Sequence, residues 1–307
     1  MRINEGWTIT LLFAYLSRMV RFSLFCTLSL LLLGCTREPP ADAGLMSYST
    51  TEDSATYYYR LGWKEIMDDG WYGPSEQSYR KSLAFDPDFL LAKSTLARLT
   101  LDRSERLRLY EELRKGLPSV TGAERLALEV YMGFTHFTNL REAGADSTAA
   151  VLSRVLSLAE KNFGEIIHRH PEETYLKAEY FEVLHSVHGP EKALDSLRLL
   201  TSAAQRRAPF IRGFEVSLLA EMGEFAVAKS LADSLAAGLP ADLPKPHAVY
   251  ADLYFQMDSF SLARSFAARA VELDHRNLDA SRLLSRSESA IKEAFSGIKE
   301  DKWEKKD

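Results

Sequence analysis

The second half of the chain repeats one arrangement of small and hydrophobic positions at a nearly constant interval. The small residues Ala159, Ala193, Ala228 and Ala263 lie 34, 35 and 35 positions apart. Each is followed at the fourth and the seventh position by another small or hydrophobic residue: Phe163, Leu197, Ala232 and Ala267, then Ile166, Leu200, Leu235 and Ala270. Spacings of three and four place side chains on one helical face. A period of 34–35 residues is typical of stacked helical hairpins.

The same patterning predicts helices along most of the chain after residue 54. We expect them at 55–67, 75–85, 89–101, 104–115, 121–138, 149–168, 174–187, 191–207, 209–221, 224–237, 245–257, 260–273 and 277–295. The stretch 139–147 predicts a longer loop that interrupts the repeat. Thr121, with Glu124 three residues later, predicts an N-cap for the helix that follows. The last helix is polar on much of its surface, as the capping element of an array requires.

The first hairpin carries the clearest motif. Ser75, Tyr79 and Ser82 alternate small, aromatic and small at spacings of four and three, and Asp86-Pro87 ends the helix. Together with the recurring small positions, this motif resembles the tetratricopeptide (TPR) repeat. The resemblance implies an all-α fold, a right-handed superhelical α-solenoid of about six TPR-like helical hairpins plus a C-terminal capping helix, over residues 55–296.

The amino terminus has the form of a secretion signal. An apolar run of twelve residues, 22–33, follows Arg18 and Arg21 and is shorter than the roughly 20 residues that span a bilayer. The ending Leu-Leu-Gly-Cys35 resembles a bacterial lipobox, which implies that 1–34 is a lipoprotein signal peptide and that Cys35 is acylated. Met19 would open a more typical signal than Met1, and both starts stay open.

The segments flanking the solenoid have distinct compositions. Residues 35–54, rich in Pro, Asp, Ser and Thr, predict a flexible tether, and 297–307 predicts a charged tail. Thr36 stands where an Asp would retain an enteric-type lipoprotein at the inner membrane. The expected location is therefore the bacterial cell envelope, lipid-anchored at the outer membrane and facing periplasm or exterior.

The net charge of the chain limits the classes of partner that it is expected to bind. Residues 1–34 hold three basic residues and one acidic one, so the remainder has 35 Lys and Arg against 42 Asp and Glu, a net charge of −7. An acidic body with no basic stripe argues against nucleic acid as a partner. It also argues against electrostatic docking on anionic lipid, so acyl chains on Cys35 would hold the protein to the membrane.

Motifs that carry chemistry are absent from the sequence. It has no glycine-rich phosphate loop, no Gly-x-Ser-x-Gly, no Cys pair in the mature chain and no His-Glu-x-x-His. His168 with His170, and His185 with His188, lie at predicted helix ends, where His is favourable against the helix dipole. We therefore expect no enzymatic activity, no metal and no cofactor.

Two surfaces are candidates for binding. In TPR proteins, positions 2, 5, 9 and 12 of the first helix of a repeat tend to face the ligand, and the resemblance places these residues there: Tyr175, Ala178, Glu182 and His185, then Lys245, Ala248, Asp252 and Phe255, and in the repeat between them Phe210, Gly213 and Ser217. The known TPR clamp for a C-terminal carboxylate has Lys and Asn at positions 5 and 9, where this chain has Ala and an acid. Such a groove would repel an anionic peptide end. The second candidate is an aromatic set at the tethered end, a recognition patch or a hydrophobic cap: Tyr57, Tyr58, Tyr59, Trp63, Trp71 and Tyr72.

The sequence thus predicts a lipid-anchored TPR scaffold or adaptor that mediates protein–protein interactions with unidentified envelope proteins. The alternative keeps the fold and changes the ligand to a glycan, a peptidoglycan fragment or a small molecule held by the aromatic patch.

Overall fold

A computed structural model describes the backbone of residues 44–304 and the side chains of residues 44–294. Within this range the chain forms thirteen α-helices and no strand. The helices are α1 (Asp53–Lys64), α2 (Tyr72–Phe85), α3 (Leu90–Leu99), α4 (Arg103–Gly116), α5 (Gly122–Glu142), α6 (Thr148–Arg169), α7 (Thr174–His188), α8 (Pro190–Leu200), α9 (Pro209–Glu221), α10 (Phe225–Ala237), α11 (Pro244–Gln256), α12 (Phe260–Leu273) and α13 (Leu278–Glu304). None of them is both long and apolar enough to cross a bilayer. The signal peptide and Cys35 lie outside the described residues.

The helices pair in chain order. Helix α1 packs on α2, α3 on α4, α5 on α6, α7 on α8, α9 on α10 and α11 on α12, and each hairpin contacts the next. Helix α13 packs on α11 and α12 and ends the array. The predicted all-α solenoid of six TPR-like hairpins with a capping helix is confirmed for the described residues.

Small residues make the contacts within the hairpins. Ala159, Ala193, Ala228 and Ala263 have no exposed surface. A methyl group at these positions lets the paired helix approach closely, and the larger residues of the same face fill the space beside it. The spacing of 34–35 residues is therefore a packing period.

The serines of the first hairpin add hydrogen bonds to this contact. Ser75 Oγ donates to the Gly62 carbonyl at 2.8 Å, and Ser82 Oγ donates to the Ala55 carbonyl at 2.7 Å. Between them the Tyr79 ring lies against Gly62, where a Cβ atom would come within 2.7 Å of it. Both hydroxyls are buried, and each meets its need for a hydrogen-bond acceptor with a backbone carbonyl of helix α1.

Helix α8 ends at Leu200, whereas the pattern predicted a helix over 191–207. Lys177 Nζ of α7 donates to the Leu200 carbonyl at 2.7 Å, and Thr201 Oγ1 donates to the Leu197 carbonyl at 2.6 Å. Side chains thus satisfy carbonyls that a further helical turn would have used. The chain continues through a 3₁₀ turn, Gln205–Arg207, and enters α9 at Pro209.

Two further boundaries differ from the sequence prediction. Helix α5 continues to Glu142, because Arg106 of α4 donates to Asn139 Oδ1 and pairs with the Glu142 carboxylate. The predicted loop 139–147 is therefore reduced to 143–147. Helix α13 continues to Glu304, through most of the segment 297–307 that was expected to be a tail.

The segment that precedes the first helix already packs against the array. In residues 44–52, here called the strap, the Met46 N–H donates to Glu173 Oε1 at 2.8 Å. The backbone N–H and the hydroxyl of Ser49 donate to the two oxygens of Glu124 at 2.6 and 2.9 Å. The tether expected over 35–54 thus meets the array at Gly44. Thr121 stands at the N-cap position of α5, as predicted, but its side chain makes no capping bond, and the Glu124 carboxylate binds the strap instead.

Candidate functional site

The array closes on itself, and this closure shapes the concave side. The π-helical turn Glu65–Asp69, between α1 and α2, contacts α9 and α11. Gly70 follows it with φ 79°, and a Cβ atom there would come within 2.8 Å of the Lys245 backbone nitrogen. Only glycine permits both this left-handed conformation and this approach.

Three polar residues hold the closure. Asp68 accepts the Phe210 N–H with one carboxylate oxygen (3.1 Å) and the Tyr175 hydroxyl with the other (2.8 Å). Asp274 accepts the N–H groups of the first residues of α2. Asn277 donates to the Gly70 carbonyl at 2.9 Å. These contacts between the first hairpin and the last ones, centred on Asp68, Gly70, Asp274 and Asn277, are called the closure seam.

The closure leaves a channel on the concave side of the array. It consists of two adjoining cavities of about 410 and 310 Å³ that share six lining residues: Glu182, Phe210, Lys245, Ala248, Asp279 and Arg282. The first cavity extends to aromatic residues and an ion pair of the first hairpins, and the second to Ser217, Asp252 and Arg286. Most lining residues come from the first helices of their hairpins, because these helices face inward.

Several predicted groove residues lie in the channel. Glu182, Lys245 and Asp252 line it, as do Ala248, Phe210, Gly213 and Ser217. Their shared location follows from the helical spacing of three and four residues. The structure adds residues from distant hairpins that the sequence did not connect to them: Arg98, Asp279 and Arg282.

The other predicted residues of the groove are engaged elsewhere. Tyr175 belongs to the closure seam through Asp68, and its ring stacks on Trp63 with centroids 6.1 Å apart. His185 Nε2 is 2.7 Å from a Glu221 carboxylate oxygen. Phe255 is half-buried beneath the Arg286 guanidinium, which lies 4.2 Å above its ring.

The aromatic set at the tethered end is mostly core. Trp63 is only 8% exposed and packs edge-on against Tyr59 and Tyr79, so it is not part of an exposed recognition patch. Trp71 is half-buried and donates its backbone N–H to the Glu65 carbonyl at 2.7 Å. Tyr57 is the exposed member of the set, at 61%. Trp63 thus packs in the hydrophobic core, and Tyr57 is the one ring of the set that is largely exposed to solvent.

Charge in the channel is only partly paired. Arg98 Nη1 binds Glu179 Oε1 at 2.7 Å, and Arg282 Nη1 binds Asp279 Oδ1 at 3.3 Å. Lys245 Nζ lies 4.4 Å from the centre of the Phe210 ring, and burial lowers its pKa. Each of these cations thus has a partner or an aromatic face.

Glu182 has no such partner. Its side chain is exposed to the channel, and no hydrogen bond or ion pair within residues 44–294 involves its carboxyl. Burial among the surrounding helices, followed by the negative charges of Glu179 and Asp279, raises the pKa of Glu182 to about 8. Burial also raises the pKa of Asp252, which accepts a hydrogen bond from Ser217 Oγ. The channel therefore holds acids whose ionised forms are disfavoured.

A second cavity, of about 670 Å³, lies beneath the strap. Rings from the strap and from three helices line it, namely those of Tyr48, Tyr59, Trp63, Tyr131 and Tyr175. It is called the strap cavity.

No group of three or more His, Cys, Asp or Glu side chains in residues 44–294 is arranged to hold a metal ion. His188 Nε2 is 2.8 Å from a Glu160 carboxylate oxygen, so His185 and His188 each face a separate glutamate.

Comparisons with known proteins give likenesses in structure only. No protein-family model and no curated protein matches the chain. A chain of the APC/C hetero-tetramer Cut9-Hcn1 is 14% identical at a TM-score of 0.40, over 76% of this chain and 42% of its own length. The pilF protein of Pseudomonas aeruginosa is 18% identical at a TM-score of 0.36, over 76% of this chain and 97% of its own. The TPR domain of P58(IPK) is 13% identical at a TM-score of 0.24, over 78% and 89%. None of these likenesses says what this chain binds.

Proposed function

We propose that the protein is a non-enzymatic scaffold of the bacterial envelope, anchored by acyl chains on Cys35, that binds another protein through its channel. The observation that carries this proposal is the channel itself. Closure narrows the concave side to cavities of about 410 and 310 Å³, which share the unpaired carboxyl of Glu182. An α-helix with its side chains is about 10–12 Å across. The channel therefore suits a projecting side chain or a chain end of the partner rather than a whole helix.

The chemistry of the channel supports binding over catalysis. Ser217 donates directly to Asp252, and no histidine stands between them as a base. A nucleophilic hydroxyl requires an adjacent general base that is itself oriented. Unpaired acids with raised pKa values are also common at binding sites, where a ligand supplies the missing counter-charge.

The proposed membrane anchor is supported by the resemblance of the sequence around Cys35 to a lipobox. Gly44, where the strap begins, lies nine residues after Cys35. Nine residues span at most about 30 Å when extended. An acylated Cys35 would hold the array close to the membrane surface. Because the body is acidic, the acyl chains would supply that attachment.

The anchor is tested with two cysteine variants. Cys35→Ser should remove the acyl mass and release the protein from the membrane fraction. Cys26→Ser, the matched control within the apolar run, should leave both unchanged. Intact membrane association and mass in Cys35→Ser would exclude the anchor.

The binding surface is tested by charge reversal. Glu182→Lys with Asp252→Lys should abolish capture of a co-purifying partner from envelope extract and slow association more at low than at high salt. Glu191→Lys with Asp195→Lys, on the exposed side of α8, makes the same charge change away from the channel and should leave capture intact. Equal capture by all variants would exclude the channel as the contact site.

The strap cavity favours a second function, a receptor for a small aromatic or apolar molecule. It is larger than either part of the channel and is lined by five aromatic rings. Mass spectrometry of the denatured, freshly purified protein should then reveal a stoichiometric small molecule. Tyr48→Ala should lose that molecule while Tyr57→Ala, on the exposed side of α1, retains it.

A further inference from the structure

Two aromatic side chains are largely exposed among residues 44–294, and both belong to one patch. Tyr57, near the start of α1, is 61% exposed, and Phe85, the last residue of α2, is 51% exposed. Tyr58 joins them, because its ring centroid lies 5.2 Å from that of Tyr57 and 5.6 Å from that of Phe85. Single exposed apolar residues are ordinary on a protein surface, whereas contiguous ones mark contact sites. These three rings are called the α1–α2 patch.

The α1–α2 patch lies at the edge of the array along which the strap runs. The first helix of each hairpin begins at this edge, and the strap contacts three of these beginnings: Phe89 before α3, Glu124 in α5 and Glu173 before α7. The second helices end at the same edge, because the two helices of a hairpin are antiparallel. Tyr57, in the first two turns of α1, and Phe85, at the end of α2, therefore share it. This edge is called the strap edge.

The tether leaves the array at the strap edge. The Glu172 N–H donates to the Gly44 carbonyl at 3.1 Å, beside the start of α7. An acylated Cys35 is nine residues earlier, so at most about 30 Å of chain would separate this edge from the lipid. The opposite edge is farther away by the length of a helix, about 18 Å for the 12 residues of α1. The anchor would thus hold the strap edge nearest to the bilayer.

The composition of the α1–α2 patch suits the boundary between membrane and water. A tyrosine ring is apolar and ends in a polar hydroxyl, and tyrosine is enriched at the level of the lipid headgroups. Lys81 Nζ lies 5.4 Å from the centre of the Tyr58 ring, and lysine side chains at an interface lay their stem on apolar surface and keep the ammonium at the headgroups. Asp53, one turn before Tyr57, adds negative charge, which favours zwitterionic over anionic lipid.

We propose that the α1–α2 patch lies in the headgroup region of the bilayer that holds the acyl chains of Cys35, and that it orients the array on the membrane. Three rings are too small a surface to hold the protein there alone, so the patch adds a second contact to the anchor and does not replace it. With two contacts, the array cannot turn freely about its tether, and the opposite edge faces away from the membrane. This inference rests on the proposed anchor at Cys35.

Two single-cysteine labels compare the distances of the two edges from the bilayer. The mature chain has no free thiol once Cys35 is acylated, so an introduced cysteine alone takes a thiol-reactive NBD fluorophore. Ser54→Cys lies one turn before Tyr57 and Tyr58, and Ser104→Cys lies at the start of α4 on the opposite edge; both serines are exposed. The acylated full chain is transferred from detergent into vesicles of phosphatidylcholine and phosphatidylethanolamine.

The label at position 54 should respond to the vesicles and the label at position 104 should not. We expect NBD at 54 to shift its emission to shorter wavelength and to be quenched by lipids that carry a nitroxide on the headgroup. At 104 both signals should match those of the protein in detergent. Mass spectrometry of the same samples verifies the acyl chains.

Variants test whether the rings cause this response. Tyr57→Ser with Phe85→Ser should abolish the wavelength shift and the quenching at position 54, while the acyl mass and membrane retention stay unchanged. Val227→Ser with Leu262→Ser is the matched control, since both residues are 48% exposed at the opposite edge, and it should leave the signal at 54 intact. Circular dichroism of each variant verifies that the helices are retained.

Three results in the acylated protein would overturn the inference: no quenching at position 54, equal quenching at 54 and 104, or quenching at 54 that survives Tyr57→Ser with Phe85→Ser. A shift at 54 that needs no vesicles and grows with protein concentration would assign the patch to a second copy of the chain. Loss of partner capture in the patch variant, without quenching by lipid, would assign it to a partner protein. All of these outcomes leave the anchor intact. A chain without acyl mass that leaves the membrane fraction would remove the anchor, and this inference with it.

Discussion

At the scale of the single residue, the ionised form of the Glu182 carboxyl lowers the stability of the folded protein. Burial raises the pKa of Glu182 to about 8, well above the 4.5 of an unperturbed glutamate. The folded protein therefore binds this proton more tightly than the unfolded chain does. Stability contributed by the group is fully present below pH 4.5 and is lost as pH rises towards about 8. A residue kept at such a cost is a candidate for function.

Glu182→Gln should accordingly stabilise the protein in alkali and not in acid. At pH 9 we expect a gain on the order of 1 kcal/mol, well below the full linkage value because the carboxyl is solvent-exposed and screened. At pH 4 the parent carboxyl is mostly neutral both in the fold and in the unfolded chain, and the two proteins should unfold nearly alike. Thermal melts at intervals from pH 4 to pH 9 measure the difference, with Glu191→Gln as control. An equal stability of parent and variant at pH 9 would contradict the raised pKa of Glu182.

At the scale of the helical element, each hairpin is joined by a row of small residues. In the hairpin of α9 and α10, Ala228 and Ala232 are buried completely or nearly so, with Leu235 on the same face. Because interiors are packed as densely as organic crystals, an added isobutyl group has no free volume to enter.

Ala228→Leu should therefore cost about 1–3 kcal/mol by overpacking. Ala226→Leu, two residues earlier on the same helix, points to solvent and makes the same chemical change without burial. Urea unfolding of the two variants isolates the effect of the contact. A neutral Ala228→Leu would place α10 in a different rotational register.

At the scale of the whole molecule, the array differs from an open solenoid by its closure seam. In an open array a repeat contacts mainly its neighbours. Here Asp274 binds the start of α2, some 200 positions away, and Asn277 binds the Gly70 carbonyl. Asn277 also caps α13, since its Oδ1 accepts the Ala280 N–H at 2.9 Å. One side chain thus joins the last helix to the first hairpin.

Asn277→Ser separates these two roles. Serine is also a good N-cap, but it is too short to reach Gly70. The unpaired carbonyl should cost about 1–3 kcal/mol, and amide hydrogen exchange should quicken over 65–73. Asn277→Asp also retains the cap and loses the donor, so it should show the same faster exchange. Unchanged exchange in both variants would mean that the seam is held without this bond.

The hairpins and several channel residues were predictable because their information is local. The period of small residues from Ala159 to Ala263 specifies which helical faces meet, since side chains three and four apart share a face. Counting within one helix, from the positions that the TPR resemblance assigns to the inner side, was enough to place Glu182, Lys245 and Asp252 there. The resemblance to TPR repeats rested on the same local patterns and predicted nothing about contacts between distant hairpins.

The tertiary structure decided the contacts between segments far apart in the chain. No local window relates Asp68 to Phe210, Gly70 to Lys245, or Asp279 to Glu182, because their approach depends on the angles accumulated over several hairpin contacts. Contacts of the same kind also changed local details. Glu124 binds the strap rather than the start of its own helix, and Lys177 binds the Leu200 carbonyl where α8 ends. Sequence periodicity determined which helical faces pack. The three-dimensional closure determined which charges meet in the channel, and with them the raised pKa of Glu182.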